Sequence, residues 1–234
     1  LFEAGQVYRG DQPEDQVTAA AGVRAGTATV GGSGRHWSGK SAPVSVFDAK
    51  ADALAVLDAL GLPVEKIQIT TDAPAWFHPG RSGQIRQGPK TGIGEFGEFH
   101  PRILEVLDAR GPLAGFELFL EAIPAPRARP PRTKPPLALS DLQPVRRDFA
   151  FVVGRDVAAA RIVKAAEGAD RGLISAVTVF DLFESEALGE GRKSVAVEVT
   201  LQPTERTLTE DEIESVAARI VADVTKATGG ALRA

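Results

Sequence analysis

The sequence predicts an α+β fold in which antiparallel strands pack against a few helices, and three features support that prediction. Residues 177–183 and 194–201 are β-branched and aromatic runs of strand length on either side of a glycine-rich charged cluster, which predicts a hairpin. Thr209 and Glu212 have the Thr-x-x-Glu spacing of a helix start, and apolar residues follow at helical spacing. A proline-rich segment separates this region from a first half of mixed strands and helices.

The elements around the hairpin complete a known order. Residues 147–153 predict a strand, and Asp156 is the expected cap of a helix that Gly168 ends. After the hairpin, the helix that begins at Thr209 is stopped by Gly229, and a short segment closes the chain. The helix after Asp156 is expected to bury Val157, Ala160, Val163 and Ala166. The order is βαββαβ, the ferredoxin-like arrangement, which hosts metal sites, regulatory modules and RNA-binding domains and so does not settle function.

The first 123 residues predict a mixed sheet with two helices. The better helix spans residues 48–60, with Asp48 as its cap and Gly61 and Pro63 as its stop. A second helix is expected at 101–109, because Pro101 suits a first turn. The strand candidates are 2–9, 17–24, 67–71, 84–86, 92–99 and 116–122.

Residues 124–140 predict a linker between the two halves. Six prolines and four basic residues, with no acid, fall between positions 124 and 136, a composition that disfavours helix and favours extended polyproline geometry. One interpretation is a semi-rigid spacer, and the other is a spacer whose cations also contact RNA phosphates. The expected division is therefore 1–123, 124–140 and 141–234.

Several long motifs occur in the order of a known family. The run VFDLFESEALGEGRKSVAVEVTLQPTERTLTEDEI, with QPVRRDFAFVV before it and ATGGALR after it, resembles the ferredoxin-fold anticodon-binding domain of the bacterial-type phenylalanyl-tRNA synthetase β subunit. Upstream, VFDAKADALAVLDALGL, WFHPGRSGQI, IGEFGEFHPRILEVLD and FELFLEAI resemble the catalytic-like module that precedes that domain. The resemblance spans nearly the whole chain.

The resemblance implies a fold and a role for each half. The first half is expected to form a class II synthetase-like antiparallel sheet with helices, to lack catalytic residues, and to scaffold the catalytic α subunit. The second half is expected to bind and position the anticodon arm of tRNA-Phe. The holoenzyme, an (αβ)2 heterotetramer in the cytoplasm, would aminoacylate tRNA with ATP and Mg2+, whereas this chain is expected to hold no cofactor or metal of its own.

Composition agrees with that expectation and excludes other classes. The 234 residues suit one large or two ordinary domains, and 43% hydrophobic content is enough for packed cores. The absence of cysteine excludes disulfides, thiolate zinc sites and cysteine nucleophiles. No apolar run is long enough to predict a membrane span. The chain starts at Leu1 and has no methionine, so we expect a piece of a longer chain.

The charge balance complicates an RNA-binding role. Residues 137–234 hold 12 Lys and Arg against 16 Asp and Glu, whereas nucleic-acid-binding domains usually carry a basic excess. A local patch and a solvated mixed-charge surface are both compatible with this pattern. The candidate tRNA-binding cations, which lie in predicted loops or at strand ends, are Arg146, Arg147, Arg192, Lys193 and Arg206.

The first half offers no catalytic signature. Residues 92–97 match G-x-G-x-x-G, but the sequence continues like a strand rather than opening a helix, so the match does not predict a dinucleotide site. His36, His78 and His100 lack metal-ligand spacing, and the aromatic loop at 76–82 is expected to be a packed turn. Class II synthetases hold ATP phosphates with arginine, and the comparable strand at 116–121 contains none.

Two other functional classes remain open at this point. A ferredoxin-like regulatory domain could sense a small molecule such as an amino acid, and binding assays with free amino acids against tRNA would distinguish it. An independent enzyme that uses His78 or His100 would need a triad or a metal cluster, which the sequence does not indicate.

Overall fold

A computed structural model describes residues 1–27, 35–36, 39–40, 42–125 and 139–233. The chain forms two compact units, Leu1–Lys134 and Pro135–Ala234. Most of the predicted linker at 124–140 lies outside the described residues, so its limits and its conformation stay a prediction. None of the described helices is long and apolar enough to cross a membrane.

The first unit is built on a six-stranded antiparallel sheet. Its strands are β1 Phe2–Tyr8, β2 Gln16–Ala25, β5 Ile67–Thr70, β6 Phe77–Gln87, β7 Thr91–Phe99 and β8 Leu113–Phe119. The two remaining strands, β3 Arg35–His36 and β4 Gly39–Lys40, form a separate hairpin. The strand order is β1-β2-β8-β7-β6-β5. Residues 84–86 prove to be part of a much longer strand, and the loop expected at 76–82 is mostly its first half, paired irregularly with β7.

Helix α1, Val46–Ala59, packs on one face of this sheet. Ala49, Ala53 and Leu57 form its buried side, against Ile85 and Leu118 of the sheet. The expected cap at Asp48 is wrong, because the helix begins one turn earlier at Ser45. Asp48 instead occupies the third helical position, where its carboxylate accepts a hydrogen bond from the Ser45 backbone N–H at 2.8 Å.

Helix α2, Pro101–Val106, is shorter than the expected 101–109. Asp108 adopts φ 50°, a left-handed conformation that cannot continue a helix. At the other end, His100 caps the helix by accepting the Arg102 backbone N–H at its Nδ1 atom, 3.2 Å away.

The glycine motif at 92–97 lies within strand β7, which agrees with the strand interpretation. Gly94 is required because a Cβ there would lie 2.5 Å from the Glu117 carbonyl oxygen on β8. Gly97 is required because a Cβ would lie 2.8 Å from the ring of Phe77. These glycines therefore permit close packing of neighbouring strands.

The second unit has the predicted βαββαβ order. Its elements are β9 Val145–Gly154, α3 Ala159–Ala169, β10 Ile174–Phe183, β11 Arg192–Leu201, α4 Glu210–Thr228 and β12 Ala231–Leu232. The sheet is antiparallel in the order β10-β11-β9-β12. Helices α3 and α4 contact each other and share a core with one face of this sheet, in which Phe151, Val197 and Ile220 are almost fully buried.

The start of α3 differs from the prediction. The helix begins after Ala158 rather than Asp156, because a turn closed by the Val157 N–H and the Gly154 carbonyl at 3.0 Å precedes it. Its buried side is formed by Ile162 and Ala166. Of the residues expected to face inward, Ala166 does so and Val163 is half-buried, whereas the expectation for Ala160 is wrong because its side chain is exposed. Val157 lies before the helix as a buried anchor of that turn.

The start of α4 is as predicted. The Thr209 backbone N–H donates to the Glu212 carboxylate at 2.9 Å, and the Glu212 N–H approaches the Thr209 hydroxyl at 3.4 Å. Gly229 ends the helix in the left-handed conformation, with φ 69°.

A buried carboxyl in the first unit makes its stability depend on pH. Burial, then the charge of Glu117, raises the pKa of Glu95 to about 7, although Arg9 opposes the shift. The unfolded chain ionises Glu95 at its ordinary pKa of 4.5, so the folded state is penalised increasingly between about pH 4.5 and 7 and fully above that. We expect Glu95→Gln, which keeps the shape without the charge, to stabilise the first unit by about 3 kcal/mol at about pH 8 and by less than about 1 kcal/mol at about pH 5.

Urea unfolding followed by tryptophan fluorescence measures this effect, because both tryptophans, Trp37 and Trp76, belong to the first unit. Equal unfolding midpoints of the variant and the parent at about pH 8 would contradict the assignment of a raised pKa to Glu95.

Candidate nucleic-acid interface

The second unit leaves one face of its sheet free of helices, and we call it the open face. Val195, Val197 and Val199 of β11 are buried on the side of α3 and α4. Because strand side chains alternate, Ala196 and Glu198 belong to the opposite face. The register places Ala150 of β9 beside Ala196 there. The centre of the open face is therefore a floor of small side chains.

Two phenylalanines and one arginine lie around this floor, and we call them the aromatic platform. Phe180 and Phe183 of β10 are 57% and 43% exposed, although large apolar side chains are normally buried. Phe180 is the extra residue of a bulge between Val179 and Asp181. It lines a groove of 780 Å³ together with Ala150 and Ala196, and the lining of that groove continues to Ala217 and Val221 of α4.

Arg233 supplies the positive charge of the platform. Its backbone N–H donates to the Ala150 carbonyl at 2.7 Å, which fixes the chain beyond β12 against β9. Its guanidinium lies 5.4 Å from the centroid of the Phe183 ring, within the range of a cation–π contact. An exposed aromatic ring and a guanidinium on a small-residue floor can hold a flat aromatic group by stacking and an anion by charge.

The five predicted cations do not form one patch. Arg146 pairs in register with Thr200 near one end of β11, whereas Arg192 pairs with Gly154 at the other end. Eight residues of strand separate Arg192 from Thr200, which corresponds to about 27 Å. Arg147 precedes the core residue Phe149 on the face that the helices cover.

Carboxylates already neutralise three of these cations. Arg146 lies 3.7 Å from Glu198, and Arg147 lies 3.0 Å from Glu210. Arg206 forms two hydrogen bonds to Glu212, at 3.0 and 2.5 Å. Within the described part of the chain, Arg192 and Lys193 have no ion pair. They are therefore the members of the predicted set most free to contact a phosphate.

The Arg206–Glu212 pair belongs to the start of α4. The Arg206 guanidinium, followed by the Thr209 backbone N–H, lowers the pKa of Glu212 to about 2. Glu212 also places a negative charge in the first turn, where it is favourable to the helix dipole. Arg206 thus has a structural role in holding the cap.

The prediction from sequence missed the aromatic platform. Apart from Thr178 and Asp181, residues 177–183 are apolar at both alternating positions. This is more apolar surface than a sheet buried on one face requires, and the excess was the signal. Arg233 carried no signal of its own, because its position depends on the pairing of β12 with β9.

Two of the three histidines of the first unit have structural partners. His78 accepts the Gly80 N–H at its Nδ1 atom, 3.1 Å away, and His100 caps α2 in the same manner. Their rings stack with centroids 6.3 Å apart. The side chain of His36 lies outside the described part of the structure. Among the residues that the structure describes, no group of three His, Asp or Glu side chains is arranged to hold a metal ion.

Comparison with known proteins places both units. Residues 140–233 match a family described as the ferredoxin-fold anticodon binding domain. Residues 1–120 match the family of the phenylalanyl tRNA synthetase beta chain CLM domain. A solved pyrrolysyl tRNA synthetase from Desulfitobacterium hafniense is 17% identical with a TM-score of 0.36 over 52% of this chain and 38% of that one, a likeness too distant to support an argument.

Several similar proteins carry the same name. Proteins named phenylalanine–tRNA ligase beta subunit from Mesorhizobium japonicum, Rhodopseudomonas palustris and Brucella abortus are 57%, 58% and 56% identical to this chain. Each alignment covers 100% of this chain and 29% of the relative, so the chain spans less than a third of the length of these proteins.

The fold and the matches together define the class as an aminoacyl-tRNA synthetase chain with an anticodon-binding type of ferredoxin-fold domain. More particularly, the chain belongs to the phenylalanyl-tRNA synthetase beta chain family, whose CLM domain matches half of it. The alternative of a ferredoxin-like regulatory sensor is not favoured by these matches.

The cap of α4 can be tested by titration. We expect Arg206→Ala to raise the pKa of Glu212 from about 2 towards its ordinary 4.5, without reaching it, because the Thr209 N–H still donates to the carboxylate. The titration of the Glu212 carboxyl carbon, followed by NMR, measures the shift. Arg146→Ala is the matched control, since Arg146 faces Glu198 instead. A Glu212 pKa that does not change in Arg206→Ala would contradict the assigned cause.

Proposed function

We propose that the second unit binds the anticodon arm of tRNA-Phe on its open face, as part of a phenylalanine–tRNA ligase. The single observation that supports this most directly is the aromatic platform of Phe180, Phe183 and Arg233. Proteins recognise RNA sequence mainly in loops, where unpaired bases stack on aromatic side chains or on guanidinium planes. An anticodon is a loop of this kind.

The acidic balance of the second unit is compatible with this proposal. Acids cluster at the start of α4, where Glu210, Asp211 and Glu212 lie in the first turn and complement the helix dipole. The open face carries the cations Arg233 and Arg146, and by the same alternation it also carries the acids Asp148, Asp181 and Glu198. The domain would therefore bind weakly by itself, and its contacts would add to those made elsewhere in a complete enzyme.

Arg192 and Lys193, at the start of β11, are the best placed of the predicted residues to contact phosphates. Arg146 could do so only by leaving Glu198, and Arg147 and Arg206 only by breaking closer ion pairs. Base contacts and phosphate contacts would thus come from different parts of the sheet. The platform would provide the first, and the turn before β11 would provide the second.

For the first unit we propose a scaffolding role in an (αβ)2 heterotetramer with the catalytic α subunit. Strand β8 and the turn after it carry acids, Glu117 and Glu121, where an ATP-binding strand would need arginine. ATP and Mg2+ would accordingly be substrate and ion of the α subunit, and aminoacylation would take place in the cytoplasm on the assembled enzyme.

The two kinds of RNA contact predict different mutant behaviour. In the complete α–β enzyme, we expect Phe180→Ala and Phe183→Ala each to weaken tRNA-Phe binding by about 1–3 kcal/mol per stacked base and to reduce discrimination between anticodon variants. Arg192→Ala and Lys193→Ala should instead weaken binding of all sequences alike and lower the salt dependence by about one unit each. Fluorescence titrations at several salt concentrations measure both effects.

Leu182→Ala is the matched control for the platform. Leu182 lies between the phenylalanines in sequence and is 59% exposed, but it pairs with the core residue Val195 and so belongs to the other face. If Phe180→Ala and Leu182→Ala behave alike, the open face is not the RNA site. If the Arg192→Ala/Lys193→Ala double variant shows the same salt dependence of tRNA binding as the parent enzyme, those two side chains do not contact phosphates.

A further expectation concerns chemistry. The 234-residue chain alone should give no phenylalanine-dependent exchange of pyrophosphate into ATP, because no arginine on β8 meets the developing phosphate charge. The assembled α–β enzyme is the positive control. Exchange above a buffer blank with the purified chain would contradict the non-catalytic assignment.

A further inference from the structure

Strand β12 is too short to cover the edge of β9. Its two residues pair with Val152 and Phe151 of β9. The Arg233 N–H then adds one bond to the Ala150 carbonyl. Strand β9 begins five residues before Ala150, at Val145, and no other described strand lies on this side of it. We call residues 145–148 the free edge of β9.

The backbone of the free edge has unused hydrogen-bonding groups. In an antiparallel strand the N–H and C=O of one residue point to the same side, and successive residues alternate. The Ala150 carbonyl points towards β12, so the N–H and C=O of Asp148 and Arg146 point the same way. No residue of the described chain bonds to these backbone groups. An added strand could therefore pair with them through its own main chain.

A groove runs along the free edge, in the direction in which a longer β12 would continue. It is the part of the 780 Å³ groove that lies away from the aromatic platform, and we call it the edge groove. Its lining residues are Arg147 and Asp148 of β9, Glu214, Ala217, Ala218 and Val221 of α4, and Leu232 of β12. Most of the side chains from α4 are small, which leaves room for a backbone beside β9.

The charges at the free edge favour a cation. Asp148 and Glu198 are directly paired on the open face, where like charges repel each other. Glu198 has a loose partner in Arg146, at 3.7 Å. Asp148 is exposed and forms no ion pair with any described residue. A basic side chain on an added strand, opposite Asp148, would neutralise this carboxylate.

We propose that the edge groove binds a short extended peptide, which pairs with β9 as an added strand and places a basic residue opposite Asp148. The residues on either side of that basic residue point towards α4, where Ala217 and Val221 favour apolar side chains. The peptide runs antiparallel to β9, as β12 does. Main-chain bonds would supply affinity, and the alternating side chains would supply specificity. This second ligand is independent of the proposed RNA contacts.

A nucleic-acid strand fits the edge groove less well than a peptide. Asp148 and Glu214 both line the groove, and their charges repel phosphates. Arg147, the cation in the same lining, already pairs with Glu210 at 3.0 Å and with Glu214 at 3.5 Å. A sugar–phosphate backbone also lacks the regularly spaced N–H groups that the carbonyls of the free edge can accept.

An NMR titration of the 234-residue chain tests the proposal with synthetic peptides. The probe is acetyl-Thr-Val-Lys-Val-Thr-amide, which we expect to bind with a Kd of about 1 mM or below. A peptide with glutamate in place of lysine should bind at least about tenfold more weakly, because its charge repels Asp148. A peptide N-methylated at the lysine nitrogen should also bind at least about tenfold more weakly, since it lacks the N–H that faces β9.

Hydrogen exchange then locates the added strand. At about 5 mM lysine peptide, exchange of the Asp148 amide should slow at least about threefold, because this amide donates to the bound peptide. Arg147 is the internal control. Its N–H points to β11, with which β9 is paired along its whole length, so its exchange rate should not change.

Three variants test the location by side chain. Asp148→Lys should reverse the preference, so that the glutamate peptide binds better than the lysine peptide, a result that loss of folding cannot produce. Ala218→Trp, at an exposed position of α4, should fill the groove and weaken binding of the lysine peptide at least about tenfold. Asp181→Lys is the matched control: it makes the same charge change on the open face two strands away, so the Kd should change less than about twofold.

Several results would overturn the proposal. They are unchanged amide signals at about 5 mM lysine peptide, equal binding of the lysine and glutamate peptides, and an unreversed preference in Asp148→Lys. If an RNA oligonucleotide protects the Asp148 amide and the lysine peptide does not, the edge groove belongs to the RNA site and the peptide proposal is wrong. The peptide measurements do not involve bases stacked on Phe180 or Phe183, so their failure leaves the proposed tRNA contacts unaffected.

Discussion

Antiparallel strand pairing with one-sided helix cover is the constraint on which the rest of this structure depends. In each unit the described long helices pack on one face of the sheet. Alternate strand residues must therefore be apolar on that face, whereas the residues between them point away from the helices. In the second unit this leaves Ala150, Ala196 and the exposed phenylalanines on the open face. In the first unit it aligns Gln84, Glu95 and Glu117 on the face away from α1. The same pairing that fixes each core therefore also aligns side chains that are distant in sequence.

The sequence predicted local structure well where one turn contains all the determining residues. The cap of α4 was correct because Thr209 and Glu212 complete their hydrogen bonds within four residues. At α1, two residues could act as cap, and Ser45 occupies that position because Asp48 serves better from inside the helix. At α3, the buried Val157 holds the turn before the helix, so tertiary packing moved the start that Asp156 had suggested.

The candidate sites were less predictable because they depend on register. Phe180 is exposed as the extra residue of a bulge, and a bulge cannot be located without knowing which residue of β11 lies opposite. Glu95 is an ordinary strand glutamate until β6 and β8 bring Gln84 and Glu117 to its two sides. Long motifs gave the family resemblance, and predicted loops and strand ends gave five candidate cations. Sequence cannot show that three of those cations already have carboxylate partners. Net charge was a poor guide for the same reason.

The two glutamates with shifted pKa values differ in what their ionised forms do to stability. Glu212 is exposed, receives hydrogen bonds from Arg206 and Thr209, and has a lowered pKa, so its ionised form stabilises the helix it caps. Glu95 is buried beside Glu117, has a raised pKa, and has no donor among the described residues, so its ionised form destabilises the sheet that holds it. A glutamine would fill the same space in β7 without that cost.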